Sequence, residues 1–363
     1  MRRRAFLSAA VATGATSPLL AAMRQGRWDA AADVLEQAVT TKLVAAAALY
    51  VAQGDESYSR HFGQATSADA MFLLGSISKP INMAAVMTLF DQGKFQLDDR
   101  VKKYLPACSG GGRDDVTIRQ LLTHTSGLPD QLANNNELRR RHAPLAAFAE
   151  QAAQAPLSFP AGSRYQYSSM GILLAARIAE IAGGMDILTL VDRSVFQPLG
   201  MRHSAQGLGK FKLADMMLCQ AAGAAPESGG GDAQSKAWDW NSLYWRQLGA
   251  PWGGTHASAP DIGTFLGDFL RPSGKVLRPE TARMMISNHN PAGITPRGLG
   301  FDVGALSGSP GCSERTFGHT GSTGTLCWAD PATDRRCVVL TSLPRRAAKP
   351  HPRELAAQRV AQG

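Results

Sequence analysis

Patterns that announce a metal or redox site are almost absent from this 363-residue chain. Its five cysteines (Cys108, Cys219, Cys312, Cys327 and Cys337) form no Cys-x-x-Cys pair, which excludes zinc-ribbon and thioredoxin-type readings. The eight histidines show no His-Glu-x-x-His and no paired ligand spacing, so no metal and no cofactor is expected. No internal repeat occurs. The apolar stretch near the N-terminus is too short for a permanent membrane span. Basic residues outnumber acidic ones, 38 to 29, for a net charge of +9. Much of that excess is terminal: Arg2, Arg3 and Arg4 at one end, and Arg345, Arg346, Lys349, Arg353 and Arg359 at the other. No basic stripe interleaved with aromatics crosses the middle, so a nucleic-acid partner is not expected. The tail after Pro344 reads as solvated surface.

What is present is ordinary globular material, 44% hydrophobic and 18% charged, ample for a core. The chain opens MRRRAFLSAAVATGATSPLLAAM, with a basic start, a modest apolar stretch and no acid before Asp29. That is the layout of an export signal, and Arg3-Arg4-Ala5-Phe6-Leu7 resembles its twin-arginine form. Residues 1–27 are therefore expected to be a signal, residues 28–363 one domain, and the mature protein periplasmic or secreted. Export permits disulfides. Cys327 and Cys337 flank an expected hairpin turn, and strand register decides whether they meet.

Residues 28–42 carry helical spacing, residues 44–52 are an apolar run of strand length, and Gly54-Asp55 turns the chain into a return strand over 57–62. Helices are expected over 81–93, 117–123, 171–183 and 260–270, with a loop over 222–254 that holds Trp238, Trp240, Trp245 and Trp252. Short strands follow over 299–304, 316–320, 323–329 and 336–342, and residues 352–361 close as a helix. Strands at both ends around a helical middle imply an α/β (α+β) fold. Its antiparallel sheet is built from both chain ends, flanked by N- and C-terminal helices, with a largely helical insert.

One short stretch carries chemistry. In Gly75-Ser76-Ile77-Ser78-Lys79-Pro80, Ser76 and Lys79 are the chain's only Ser-x-x-Lys pair. Residues three apart on a helix share a face. A partly desolvated lysine there can help remove the serine proton. Pro80 costs little only in a first turn, so the helix should start near Ser76 and place that residue at its positive end.

Alone the pair is a weak signal, but ordered companions follow. The chain continues through VTIRQLLTHTSGLP, FPAGSRYQYSSMGILLAARIAEIAG (159–183), GLGFDV (298–303), GHTGSTGTLCWADP (318–331) and CVVLTS (337–342). Together these resemble the serine β-lactamase and penicillin-binding superfamily over most of 28–345. The resemblance is strongest to its class C β-lactamase-related branch, which includes esterases and D-aminopeptidases. It implies Ser76 as acylated nucleophile, Lys79 in its proton network, and Tyr167 as general base or relay. It also implies an oxyanion hole from the backbone N–H groups of Ser76 and Ser322, and His319-Thr320-Gly321 on the strand lining the cleft.

Two positions depart from that pattern. Ser169 stands where the family has the Asn of Tyr-x-Asn, and His319 where it has Lys. Ser169, His319, Thr320, Gly321 and Trp252 are the expected substrate contacts. His124 reads as a fold residue of its loop. The expectation is an acyl-enzyme hydrolase of an ester or amide, small-molecule or peptide, with β-lactam ranked lower because of the two departures. A β-lactamase or penicillin-binding carboxypeptidase, and a non-catalytic binding protein on the same fold, are the alternatives. The sequence leaves the oligomeric state open.

Overall fold

The computed structural model describes residues 26–363, so residues 1–25 of the expected signal lie outside it. Helix α1 (Asp29–Thr40) turns Ala31, Ala32, Leu35 and Ala38 inward, one apolar stripe at helical spacing. A hairpin of β1 (Ala46–Gln53) and β2 (Glu56–Gly63) follows, then the two-residue β3 (Phe72–Leu73). Helix α2 (Ser78–Asp91) is buried along nearly its whole length, as its shortage of charged residues requires. Short helices come next: α3 (Ile118–Leu122), α4 (Asn135–Arg140) and α5 (Leu145–Gln154). Helix α6 (Ser169–Gly183) follows and ends at left-handed Gly184. After it come α7 (Ile187–Val191), α8 (Gln197–Leu199), β4 (Ser204–Gln206), α9 (Leu243–Leu248) and β5 (Thr255–Ala257). The chain closes with α10 (Ala259–Leu270), α11 (Pro279–Met285), β6 (Asp302–Val303), β7 (Phe317–Gly321), β8 (Thr325–Asp330), β9 (Arg335–Thr341) and α12 (Pro352–Gln362).

The main sheet is antiparallel in the order β2-β1-β9-β8-β7-β6, so the two chain ends meet where β1 pairs with β9. Its central strands are apolar on both faces. Ala47, Leu49, Val51, Cys337 and Val339 meet α1 and α12, while Ala46, Ala48, Val338 and Leu340 face α10 and the helical insert. This double burial explains why the strands read as continuous apolar runs rather than alternating ones. It also settles the cysteines. Cys327 pairs with Val338 and faces the insert, whereas Cys337 faces the terminal helices, and all five thiols are free. Strand pleat therefore keeps Cys327 and Cys337 on opposite faces.

Three differences from the sequence reading have physical causes. The strand expected over 299–304 shrinks to Asp302–Val303, because Gly300 takes a left-handed turn against Met83. A second sheet, β3-β5-β4, was not foreseen; strands of two and three residues carry no periodicity to detect. The basic tail is not all surface. Arg353 is fully buried, and its guanidinium donates to the carbonyls of Gly321 and Thr325, clamping the β7–β8 hairpin from behind. A buried hydrogen bond from a charged donor contributes about 1.5–3 kcal/mol, enough to fix that hairpin's position.

Candidate active site

The segment before α2 is held from both sides. Thr323 Oγ1 donates to Leu73 O at 2.7 Å and Thr325 Oγ1 to Leu74 O at 2.6 Å, tying it to the β7–β8 hairpin. Ser78 Oγ accepts from Thr255 N at 2.9 Å, tying it to β5. Gly75 then turns left-handed (φ +57°), and one 3₁₀ turn, Gly75–Ile77, leads into α2. The expected helix start near Ser76 is therefore found, with Pro80 in the first turn. Two glycines permit the close approach of hairpin and loop. A Cβ on Gly321 would stand 2.1 Å from Leu74 O, and one on Gly75 would stand 2.9 Å from Thr323 Oγ1 and 3.3 Å from Ser322 N. The backbone N–H of Ser322 thus lies beside the loop that carries Ser76.

Lys79, in the first turn of α2 and three residues after Ser76, is wholly buried. Its Nζ donates to Ser76 Oγ at 3.1 Å and to the carbonyl of Trp252 at 3.0 Å. Burial lowers its pKa from 10.5 to about 7, with Arg297 lowering it further and Asp130 and Glu227 opposing the shift. Tyr167 packs across the same space, its ring centroid 4.6 Å from Lys79 Nζ. Burial raises the phenol above its usual value, against smaller opposing effects of Arg297 and a hydrogen bond with Ser76. Tyr167 is accordingly a neutral phenol over the physiological range, and Lys79 is the group that titrates there.

His124 holds Tyr167 in place. Its Nδ1 accepts from Ser168 N at 3.2 Å, its carbonyl accepts from Gln166 N at 2.9 Å, and its ring lies 4.6 Å from that of Tyr167.

His319, on β7, is also buried. Its Nε2 lies 2.9 Å from Arg297 Nη2 and its Nδ1 lies 2.8 Å from Thr320 O. A guanidinium can only donate, so Nε2 accepts and Nδ1 carries the proton. Burial, then Arg297 and Lys79, push its pKa well below 6.5. His319 is therefore a fixed neutral imidazole with its lone pair already engaged. Arg297, ion-paired with Asp302, is the local cation.

Ser169 lies at the first turn of α6 and turns toward Asp130. Its N–H and its Oγ–H both donate to Asp130 Oδ1, at 2.9 and 2.6 Å. Asp130 was missed in the sequence. It sits in the Leu128-Pro129-Asp130 loop, 39 positions from its partner, and nothing local marks it.

Ser76, Tyr167, Ser169, Trp252 and Ser322 converge on one cavity of about 140 Å³, which Asp130 also lines. His319 and Gly321, on β7, do not line it: the His319 ring lies 6.1 Å from that of Tyr167, and Gly321 packs against Leu74. Nor does Thr320: it pairs with Leu326, projects from the opposite face of the strand, and is exposed. The loop tryptophans are the cavity's aromatic wall, Trp240, Trp245 and Trp252. A larger open hollow of about 760 Å³, beside α7, α8 and β4, contains none of these residues.

The fold that positions this serine, lysine and tyrosine is shared with known proteins. The solved structure of EstCE1, a hydrolase with promiscuous acyltransferase activity, covers 93% of this chain and 100% of its own, with a TM-score of 0.74 at 22% identity. Esterase EstB of Burkholderia gladioli is 35% identical over 192 residues, which is 47% of this chain and 49% of EstB. The chain thus matches about half the length of that relative. Penicillin-binding protein 4 of Amycolatopsis lactamdurans is 28% identical over 284 residues, 73% of this chain and 69% of that protein. The Beta-lactamase family model matches residues 31–362, nearly the whole described chain. The chain belongs to the β-lactamase family.

Proposed function

We propose that this protein is an exported serine hydrolase that works through an acyl-enzyme on an ester or amide. The observation that carries the reading is the 3.1 Å contact between Ser76 Oγ and Lys79 Nζ, with that amine held near pKa 7. A free amine at hydrogen-bond distance is a competent general base. Lys79 takes the Ser76 proton as Oγ bonds to the substrate's acyl carbon. The backbone N–H groups of Ser76 and Ser322 receive the oxyanion, an arrangement worth roughly 10²–10³ in rate per donor. The proton then passes, with Tyr167 as neutral relay, to the leaving alcohol or amine as its bond to the acyl carbon breaks. Water enters by the reverse route and releases the acid.

Ester or D-amino-acid-type amide ranks above β-lactam. His319 offers a β-lactam carboxylate no positive charge, and Ser169 is committed to Asp130 rather than free to donate to an acyl amide. The likeness to EstB supports the ester side. The basic N-terminus supports export, and replacing Arg3 and Arg4 by Lys should retain the protein in the cytoplasm.

A fluorophosphonate probe should add one mass adduct to the protein and none to Ser76→Ala. Absence of a Ser76-dependent adduct refutes the hydrolase. A panel of a chromogenic cephalosporin, a short-chain nitrophenyl ester and a D-alanyl anilide then ranks substrates. Fast cephalosporin turnover with slow ester and anilide cleavage refutes the ranking.

A further inference from the structure

The cavity beside Ser76 contains a charged side chain for which the reaction above has no use. Arg139, on α4, is 1% exposed and lines the cavity. Its guanidinium stacks on the Trp245 ring, with Cζ 3.7 Å from the centroid. Among the described residues it makes no hydrogen bond, and both Nε and Nη1 are fully buried without an acceptor. Almost every buried polar group in a folded protein is satisfied, and leaving a charged one unmatched is costly. The other deeply buried arginines among the described residues, Arg246, Arg297 and Arg353, each donate to a backbone carbonyl. Arg139 therefore departs from the chain's own practice, and does so at the nucleophile.

The opposite walls carry acceptors. Gln131 Oε1 is buried and unpartnered. The Glu227 carboxylate lines the cavity near Arg139 without an ion pair to it, and Asp130 spends only Oδ1 on Ser169. A carboxylate ligand would meet Arg139 but also face Asp130 and Glu227. An ammonium ligand would meet the acids but face Arg139 and Lys79. A neutral group with one acceptor oxygen and one N–H satisfies both walls, and an amide is such a group.

We propose that Arg139 is the residue that selects the acyl group, donating to the carbonyl oxygen of an amide carried on the acyl side of the substrate. The amide N–H is received by Gln131 or Glu227, and the Trp245 and Trp252 rings pack its flanks. The guanidinium thereby takes over the amide recognition that Ser169, bonded to Asp130, does not provide. The burial that lowers Arg139 to a pKa of about 10 leaves it charged at neutral pH. The proposal rests on the hydrolase reading above.

The test compares nitrophenyl esters of N-acetylglycine, of its isostere 4-methylpentanoate, and of glutarate as the monoester, each normalised to its hydroxide-catalysed rate. The wild-type protein should favour N-acetylglycine over 4-methylpentanoate in kcat/KM. In Arg139→Met that ratio should fall roughly 10- to 100-fold, the value of one hydrogen bond from a charged donor, and Arg139→Lys should recover part of it. A wild-type protein with no such preference overturns the proposal whether or not the variants fold. So does a ratio unchanged in folded Arg139→Met, which would leave Arg139 a stacking partner of Trp245, and so does glutarate outrunning N-acetylglycine. Fluorophosphonate labelling separates the two readings: a Ser76 adduct without amide preference removes only this inference, while no adduct removes the hydrolase and this with it.

Discussion

Nucleophile activation should titrate with Lys79, and the rate of fluorophosphonate labelling at Ser76 measures this without assuming a substrate. Only the free amine can accept the serine proton. With its pKa lowered from 10.5 to about 7, half of Lys79 is free amine near neutrality. At pH 5 the free fraction is about 1%, and above pH 8 it exceeds about 90%; an unperturbed lysine would be only about 0.03% free at pH 7. The second-order labelling rate should therefore rise about tenfold per pH unit up to pH 7 and level off above it. Tyr167 adds no limb below pH 9, because burial raises its phenol out of the range. The midpoint should also move in defined directions. Asp130 favours the ammonium form, so Asp130→Asn should lower the midpoint; Arg297 disfavours it, so Arg297→Met should raise it. A midpoint near 10, a flat profile, or a midpoint near 7 that persists in Lys79→Met would refute Lys79 as the base.

The same lysine should cost stability. Its folded pKa is depressed, so the cost is complete below pH 7, where both states are protonated, and fades as pH rises from 7 to 10.5. The shift corresponds to about 5 kcal/mol, from which Lys79→Met loses roughly 1–3 kcal/mol by orphaning the Trp252 carbonyl. Urea unfolding should thus show Lys79→Met more stable than wild type at pH 6, with the advantage shrinking by pH 10; an advantage that grows with pH would contradict this. Gly75→Ala should lower labelling by about 10²-fold or more and destabilise by about 1–3 kcal/mol, since its Cβ meets Thr323 Oγ1 and the Ser322 amide at a left-handed φ. Cephalosporin assays of His319→Lys should show no gain, and its unfolding midpoint should drop by the equivalent of about 3–5 kcal/mol, because the new ammonium would be buried against Arg297.

What the sequence shows clearly is what local pattern encodes. Ser76, Lys79 and the start of α2 follow from three residues of spacing and one proline. Strands β1, β8 and β9 follow from apolar runs between turn residues. Long-range partners leave no such trace. Asp130 reaches Ser169 across 39 positions, Arg297 reaches His319 across 22, and Arg353 reaches Gly321 across 32. In each, one member looks like surface charge in the sequence, because burial is a property of the fold and not of the residue. The Trp252 carbonyl that holds Lys79 is less legible still, since every residue has one. Thr320 was misplaced for a simpler reason: on a strand, alternate residues face opposite ways, and a three-residue motif cannot present all its side chains to one cleft.

The two departures from the family pattern, at Ser169 and His319, act on the same quantity. A lysine at 319 would add a second cation beside Arg297, close to Tyr167 and within reach of Lys79. Arg297 already pushes Lys79 down, and another positive charge would push it further, to a base too weak to hold the serine proton at neutral pH. A neutral imidazole avoids this while keeping Arg297 oriented through Nε2. On the other side, an asparagine at 169 would bring no charge, whereas Ser169 fixes the carboxylate of Asp130, the largest influence raising Lys79. One change removes a depressing charge and the other anchors a raising one. Burial brings the amine to about 7, a value suited to a general base at neutral pH, and on the proposed mechanism the two departures would help to hold it there. The departures that weaken the case for a β-lactam substrate would thus be the ones that tune the proposed nucleophile. Ser169→Asn, by releasing Asp130 from its 2.6 Å hydrogen bond, should shift the labelling midpoint, whereas a variant of exposed Thr320 should not.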